Sequence, residues 1–272
     1  MKMSLLATAA AVVALTASAA QAQVVGHVGA NYARQVVDVD GPNPDLDTFQ
    51  LEGAAGFAAG SLNALIDGAV TGIGGDVNDQ VDFALTGHLN GKLGNALVGG
   101  WAGVNATEDL NVWALGAEGQ MAVTDAVTLY GQAGVGYSDD LNDAMLYGVR
   151  GEARYFVNEN LKLQAQAGWS KVDTDDLGSS DTWTVGVEGE YQFAGTPWSV
   201  LASYDYADSN DLRVSSRNIV APAFETDFKT HTFRVGGRYT FGGATLKARD
   251  AAGADLGSIR KLFPNVNERN AF

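Results

Sequence analysis

The side chains able to do chemistry in this chain are few, and their surroundings restrict what they do. Its histidines are His27, His88 and His231, and none lies beside a serine in a tight turn. Acyl transfer needs a serine next to a histidine that an Asp or Asn orients in turn. The histidines are therefore expected to be ordinary polar side chains, His27 and His88 on an inner face and His231 on an outer face near a rim. Cysteine is absent, which removes thiolate nucleophiles, cysteine-ligated metals and disulfides together. The glycines show no phosphate-loop spacing ahead of a helix. No catalytic residue and no dedicated cofactor is expected, and the chain reads as a non-enzyme.

Carboxylates dominate: 32 acidic residues against 17 Lys and Arg give a formal charge of -15. That balance argues against nucleic acid, whose phosphates require basic partners. Many of the acids sit in polar stretches between Asp38 and Lys229, opposed in those stretches only by Lys171, Arg213, Arg217 and Lys229. An acidic rim attracts cations and repels anions through its summed field. Loosely bound Ca2+ or Mg2+ would bridge it to anionic lipid headgroups through carboxylate oxygen. Asp38, Asp40, Asp45 and Asp47 outline a calcium-loop opening. It lacks the bidentate glutamate that closes such a loop, and Pro42 and Pro44 stiffen it. It is a weak metal candidate.

A second group mixes signs: Arg150, Glu152 and Arg154, then Lys162, then Glu188 and Glu190, with Arg234 and Arg238 near the end. Each set alternates with apolar residues, so each lines one face. Opposite charges on neighbouring strands in a poorly hydrated interior should pair. They would either form a pore constriction or fill a narrow interior as a ladder of ion pairs.

What must position these residues is a set of strands. Period-two alternation runs from Val24 to Phe241, as in Thr184-Val185-Gly186-Val187-Glu188-Gly189-Glu190-Tyr191. Segments fall at 24–34, 48–59, 61–72, 81–91, 94–104, 110–121, 126–137, 144–156, 161–171, 182–193, 198–207 and 230–241. Their lengths suit the roughly 9–11 residues with which a tilted strand crosses a membrane. Aromatics, Trp101 and Trp113 among them, collect toward segment ends, where interfacial girdles belong. Odd connections such as 35–47 and 208–229 are long and acidic, while even ones such as Gly60 and 194–197 are short turns. The expectation is an all-β chain: a transmembrane up-and-down antiparallel β-barrel of about twelve strands, with ten or fourteen as alternatives. Its short turns would be periplasmic and its longer loops extracellular.

The first residues agree with this. Lys2, the apolar run Leu5–Leu15 and the exit Ala20-Gln21-Ala22 have the layout of a secretory signal peptide over 1–22. The last segment, Arg234-Val235-Gly236-Gly237-Arg238-Tyr239-Thr240-Phe241, resembles the terminal signal of outer-membrane barrels, with Gly236, Tyr239 and Phe241 at its marked positions. The chain from 23 to 243 resembles the porin-like outer-membrane β-barrel proteins of Gram-negative bacteria. That resemblance implies residence in the outer membrane, with its lipids and lipopolysaccharide as surroundings. It also implies periplasmic chaperones and the barrel-assembly machinery as partners in biogenesis. The family usually ends on the terminal aromatic, whereas here a polar tail follows over 244–272, destined for the periplasm or for the lumen. The function expected is a narrow, cation-preferring passive diffusion channel. The alternative is a non-conducting structural or surface-interaction barrel whose acidic loops bind divalent cations or lipopolysaccharide.

Overall fold

The computed structural model describes residues 24–38, 45–74, 80–107, 110–141, 143–174, 178–214, 224–243 and 245–264. The expected signal peptide, Asp40 and the last eight residues lie outside them. The strands are β1 (Val24–Asp38), β2 (Asp45–Ala59), β3 (Leu62–Gly74), β4 (Gln80–Leu93), β5 (Ala96–Ala106) and β6 (Asn111–Ala122). They continue with β7 (Val127–Ser138), β8 (Ala144–Asn158), β9 (Leu161–Thr174), β10 (Gly178–Gln192), β11 (Trp198–Val214) and β12 (Phe224–Phe241). Each pairs antiparallel with its sequence neighbours, and β12 returns to pair with β1, closing the barrel at twelve strands.

The alternation resolves into two faces, and the faces are inverted relative to a protein that folds in water. In β8, Arg150, Glu152 and Arg154 are buried, while Met145, Tyr147, Val149 and Tyr155 are exposed. Trp113 and Leu115 are each 62 % exposed, whereas Glu190 is 0 % exposed. Exposing such side chains costs free energy in water and none in hydrocarbon. The exposed face is the lipid face. Exposed aromatics ring the barrel near strand ends, with Trp198 and Tyr239 edge to face at 5.0 Å across β11 and β12.

Two expectations need correction. Most of the expected loop 208–229 is a hairpin, because β11 and β12 stay paired out to Val214 and Phe224 past an irregularity between Ser209 and Leu212. Backbone pairing continues beyond the membrane edge, where neither face is apolar and alternation no longer reports it. Trp101 belongs to no outer girdle. It is buried inside the barrel on β5, where Gly99, Gly100, Ala102 and Gly103 leave no alternation to declare a face. Its ring lies against Gly134 of β7, where a Cβ would meet it.

After Phe241 the chain turns at Gly242, whose φ of 75° is readily adopted only by glycine, and enters the lumen. There it forms α1 (Leu246–Ala251) and one further helical turn, α2 (Ile259–Leu262). Thr245 caps α1 by accepting a hydrogen bond from the Ala248 amide at 3.2 Å.

A closed wall has no free edge from which to open. The folded protein should resist cold detergent and migrate differently on gels before and after boiling; unchanged migration would contradict closure. Val187→Arg, at the middle of the lipid face of β10, should cost about 2–4 kcal/mol. Urea unfolding in phospholipid vesicles measures this; in a water-soluble protein the same exposed change would be near neutral. Phe241→Asp should lower the yield of folded barrel far more than Phe272→Asp, because only Phe241 lies in the strand that closes on β1.

Candidate functional site in the barrel lumen

The short-turn half of the lumen holds two sets of ion pairs, joined where Arg154 donates to the Asp255 backbone carbonyl at 2.7 Å. Glu152 accepts from both Arg150 and Arg154, the latter through Nε at 2.9 Å. Arg154 also donates to Asp250 at 2.6 Å and to the Gln120 side chain at 3.0 Å. Lys162 lies 3.2 Å from Glu190, 3.2 Å from Asp255 and 3.8 Å from Glu188. Arg238 joins Glu52 at 2.6 Å to Glu190 at 3.0 Å, and Arg249 reaches Glu190 at 2.8 Å and Asp255 at 3.0 Å. Thus Arg150, Glu152, Arg154, Lys162, Glu188, Glu190 and Arg238 are brought together. Arg234 stands apart, lining the cavity above with no ion pair among the described residues. The tail supplies Arg249, Asp250 and Asp255, which complete the network from the lumen axis. Burial alone would raise the Asp255 carboxyl; Arg249 and Lys162 outweigh it and hold the group well below the usual carboxylate range.

A second cluster had no signature in the sequence. His88 on β4 places Nε2 2.8 Å from Asp67 of β3 and Nδ1 2.9 Å from Glu118 of β6. Carboxylates on both ring nitrogens suit an imidazolium donating from each. Glu118 also accepts from Asn90 and from Tyr130, each at 2.8 Å, and the Tyr130 hydroxyl accepts the Gly257 amide at 3.0 Å. This cluster too ends on the tail. His27 is buried beside Glu52 at 3.9 Å, and His231 faces outward, bonded to the Tyr204 hydroxyl at 2.8 Å. No serine stands in a nucleophile's position beside any of the three among these bonds.

In the long-loop half the two walls differ. On β5, β6, β8 and β9, Trp101, Val112, Leu146 and Val172 form an apolar surface on which Ile259, Leu262 and Phe263 of the tail pack. Inward glycines make the room: a Cβ on Gly148 would lie 2.8 Å from Leu262 Cγ. Burying each of these tail side chains contributes about 1.5–3 kcal/mol. Arg260 donates to Thr71 and lies 3.7 Å from Asp82. The remaining space is a cavity of about 280 Å3 bounded by β1–β4, β8–β12 and the tail, lined by polar residues such as Asn31, Gln50, Thr232 and Arg234 and by apolar ones such as Leu46 and Leu201.

At the rim the weak metal candidates separate. Asp45 and Asp47 are engaged by Arg34, Asp47 also accepts the Tyr32 hydroxyl at 2.7 Å, and Asp38 is exposed. Asp40 lies outside the described residues. Among the described residues no group of three acidic or histidine ligands could hold a metal ion.

Arg154→Gln would leave Glu152 and Asp250 in a dry lumen without their shared cation, at a cost on the order of 3–5 kcal/mol. Urea unfolding in vesicles would read that loss. The Asp255 ion pairs give the tail a dependence on pH. Because the folded-state pKa is the lower one, their contribution is complete above the ordinary carboxylate pKa of about 3.9 and is lost only as pH falls through the depressed value. The tail should therefore resist pepsin at pH 4 and become cleavable as acidity increases further.

Comparison with known proteins places this geometry. No curated protein matches the chain. Among solved structures, the COG4313 outer membrane channel from Pseudomonas putida F1 is similar at a TM-score of 0.55 and 12% identity, over 80% of this chain and 95% of that one. KdgM porin in complex with disordered oligogalacturonate is similar at 0.52 and 11% identity, over 78% of this chain and 99% of that one. At such identity these likenesses speak for the fold. The outer membrane protein beta-barrel domain matches residues 5–241, most of the chain and all twelve strands, and the protein belongs to this family of outer-membrane β-barrels.

Proposed function

We propose that the protein is a narrow passive diffusion channel of the outer membrane that prefers cations. The observation that carries this reading is the cavity of about 280 Å3 inside a closed wall, whose lining carries amide, hydroxyl and charged side chains. A lumen meant only as a core would be filled, as in the smallest barrels. Cation preference follows from the rim, where Asp38, Asp139, Asp140, Asp143, Asp173 and Asp208 contribute to the formal charge of -15. Arg234, free of any described ion pair, and Glu188 at the edge of the network are the residues best placed to act at a constriction. Two solved structures of similar fold carry the names porin and channel, which is in keeping with the reading.

One observation favours the alternative of a non-conducting barrel: the tail and its ion pairs occupy the short-turn half of the lumen. In that case the acidic loops would serve by binding divalent cations or lipopolysaccharide. Under either reading, export follows cleavage of the signal peptide near residue 22, and β12 presents Gly236, Tyr239 and Phe241 to the assembly machinery.

Purified protein in a planar bilayer under a KCl gradient should give discrete conductance steps, with a reversal potential on the cation side. Raising salt should weaken that preference, because the field of exposed carboxylates is screened within about 10 Å at 0.1 M. Well-folded protein that never conducts at any voltage would leave the structural reading in place of the channel.

A further inference from the structure

The tail is held in the lumen by polar contacts that water can replace and by a few buried apolar side chains. Its polar contacts are the ion pairs of Arg249, Asp250 and Asp255 together with hydrogen bonds to wall groups such as Asn63, Gln120, Gln132 and Tyr130, and its buried apolar side chains are Leu246, Ile259, Leu262 and Phe263. It hangs from glycine joints. Gly242 and Gly253, with φ of 75° and 70°, bracket α1 in a conformation other residues rarely adopt.

The docked state is also incompletely satisfied. Among the described residues neither oxygen of the fully buried Asp82 carboxylate accepts a hydrogen bond, and its one ion-pair partner there is Arg260 at 3.7 Å. Arg249 Nε and Nη1 are buried without a partner. Buried polar groups are normally paired, and leaving charged ones unpaired is costly. Groups that lack partners when the tail is docked are groups that water would hydrate when it leaves. A segment meant as permanent core would be expected to satisfy them.

The tail is charged as well. Lys247, Arg249, Arg260 and Lys261 stand against Asp250 and Asp255, a net charge of +2 over residues 245–264. A potential across the membrane acts on that charge, by roughly fiftyfold in equilibrium per elementary charge moved through 100 mV.

We propose that residues 245–264 are a displaceable plug, and that the barrel passes solute only when this segment swings about Gly242 out of the lumen toward the short-turn side. This rests on the channel reading. The net positive charge sets the direction: making the short-turn side negative draws the plug out, and the opposite polarity seats it.

The chain has no cysteine, so a disulfide introduced between wall and tail would be unambiguous. A Cβ built on Gly103 of β5 lies 3.4 Å from the Ile259 Cβ, close to the roughly 3.5–4.5 Å that a disulfide spans. The same Cβ sits 2.8 Å from the Leu85 carbonyl oxygen, so a second variant ending at Gly243 guards against poor folding of the first. Both are checked for heat-dependent gel migration and then recorded in planar bilayers.

Oxidised G103C/I259C should be silent, and reduction should restore wild-type openings. The variant ending at Gly243 should conduct continuously and without dependence on polarity. Wild-type open time should rise at least tenfold on making the short-turn side 100 mV negative. Equal conductance from intact and shortened protein, or oxidised protein that conducts like the reduced form, overturns the plug and leaves the channel. Silence from every form, the shortened one included, overturns the channel reading itself.

Discussion

Backbone amides in hydrocarbon have no water to bond, so each must find a partner within the wall. That requirement is met here by the pairing of β12 with β1, from Gly26 opposite Phe241 to Asp38 opposite Lys229. Without it both terminal strands would expose an unpaired edge to lipid. Every other feature is downstream of this closure. It makes the lumen a separate compartment, decides which face of each strand meets lipid, and delivers the chain past Phe241 to the mouth of the compartment it has just closed.

Closure at twelve strands creates a lumen too wide for wall side chains to fill and too narrow for bulk water to screen. Charges within it then interact strongly and must be paired. The wall pairs some of them along a single strand, as Glu152 does with Arg150 and Arg154 on β8. Glu190 shows the limit of that solution. It draws on Arg238 and Lys162 from the wall, yet its shortest ion pair is with Arg249 of the tail at 2.8 Å. The tail is in this sense part of the lumen's electrostatics.

The two halves of the lumen are solved differently. Toward the short turns the filling is ionic. Toward the loops the filling is apolar and one-sided, with Phe263 and Leu262 set against the inward glycines of the opposing strands. That asymmetry leaves the cavity on the other wall. A glycine facing inward gives a barrel a local recess without altering its strand count, and the recess at Gly148 has a specific occupant in the tail.

Strand number, the inward face of Arg150, Glu152, Arg154, Lys162, Glu188, Glu190, Arg234 and Arg238, and the loop asymmetry were all legible in the sequence. The reason is that alternation is a local property: a strand between lipid and a polar lumen must change polarity at every residue. Trp101 was misplaced where that rule lapses, among glycines and alanines that suit either face. The triad of His88, Asp67 and Glu118 was invisible for a different cause, since its members come from three strands whose mutual register no local pattern encodes. The tail posed the largest open question. Its polarity excluded a further strand, but both the periplasm and the lumen would accept polar residues. Only the closed wall, with Glu190 and Arg154 presenting charge to the tail on one side and a glycine-lined apolar recess on the other, decided for the lumen, because complementarity of charge and shape exists only once the barrel has formed.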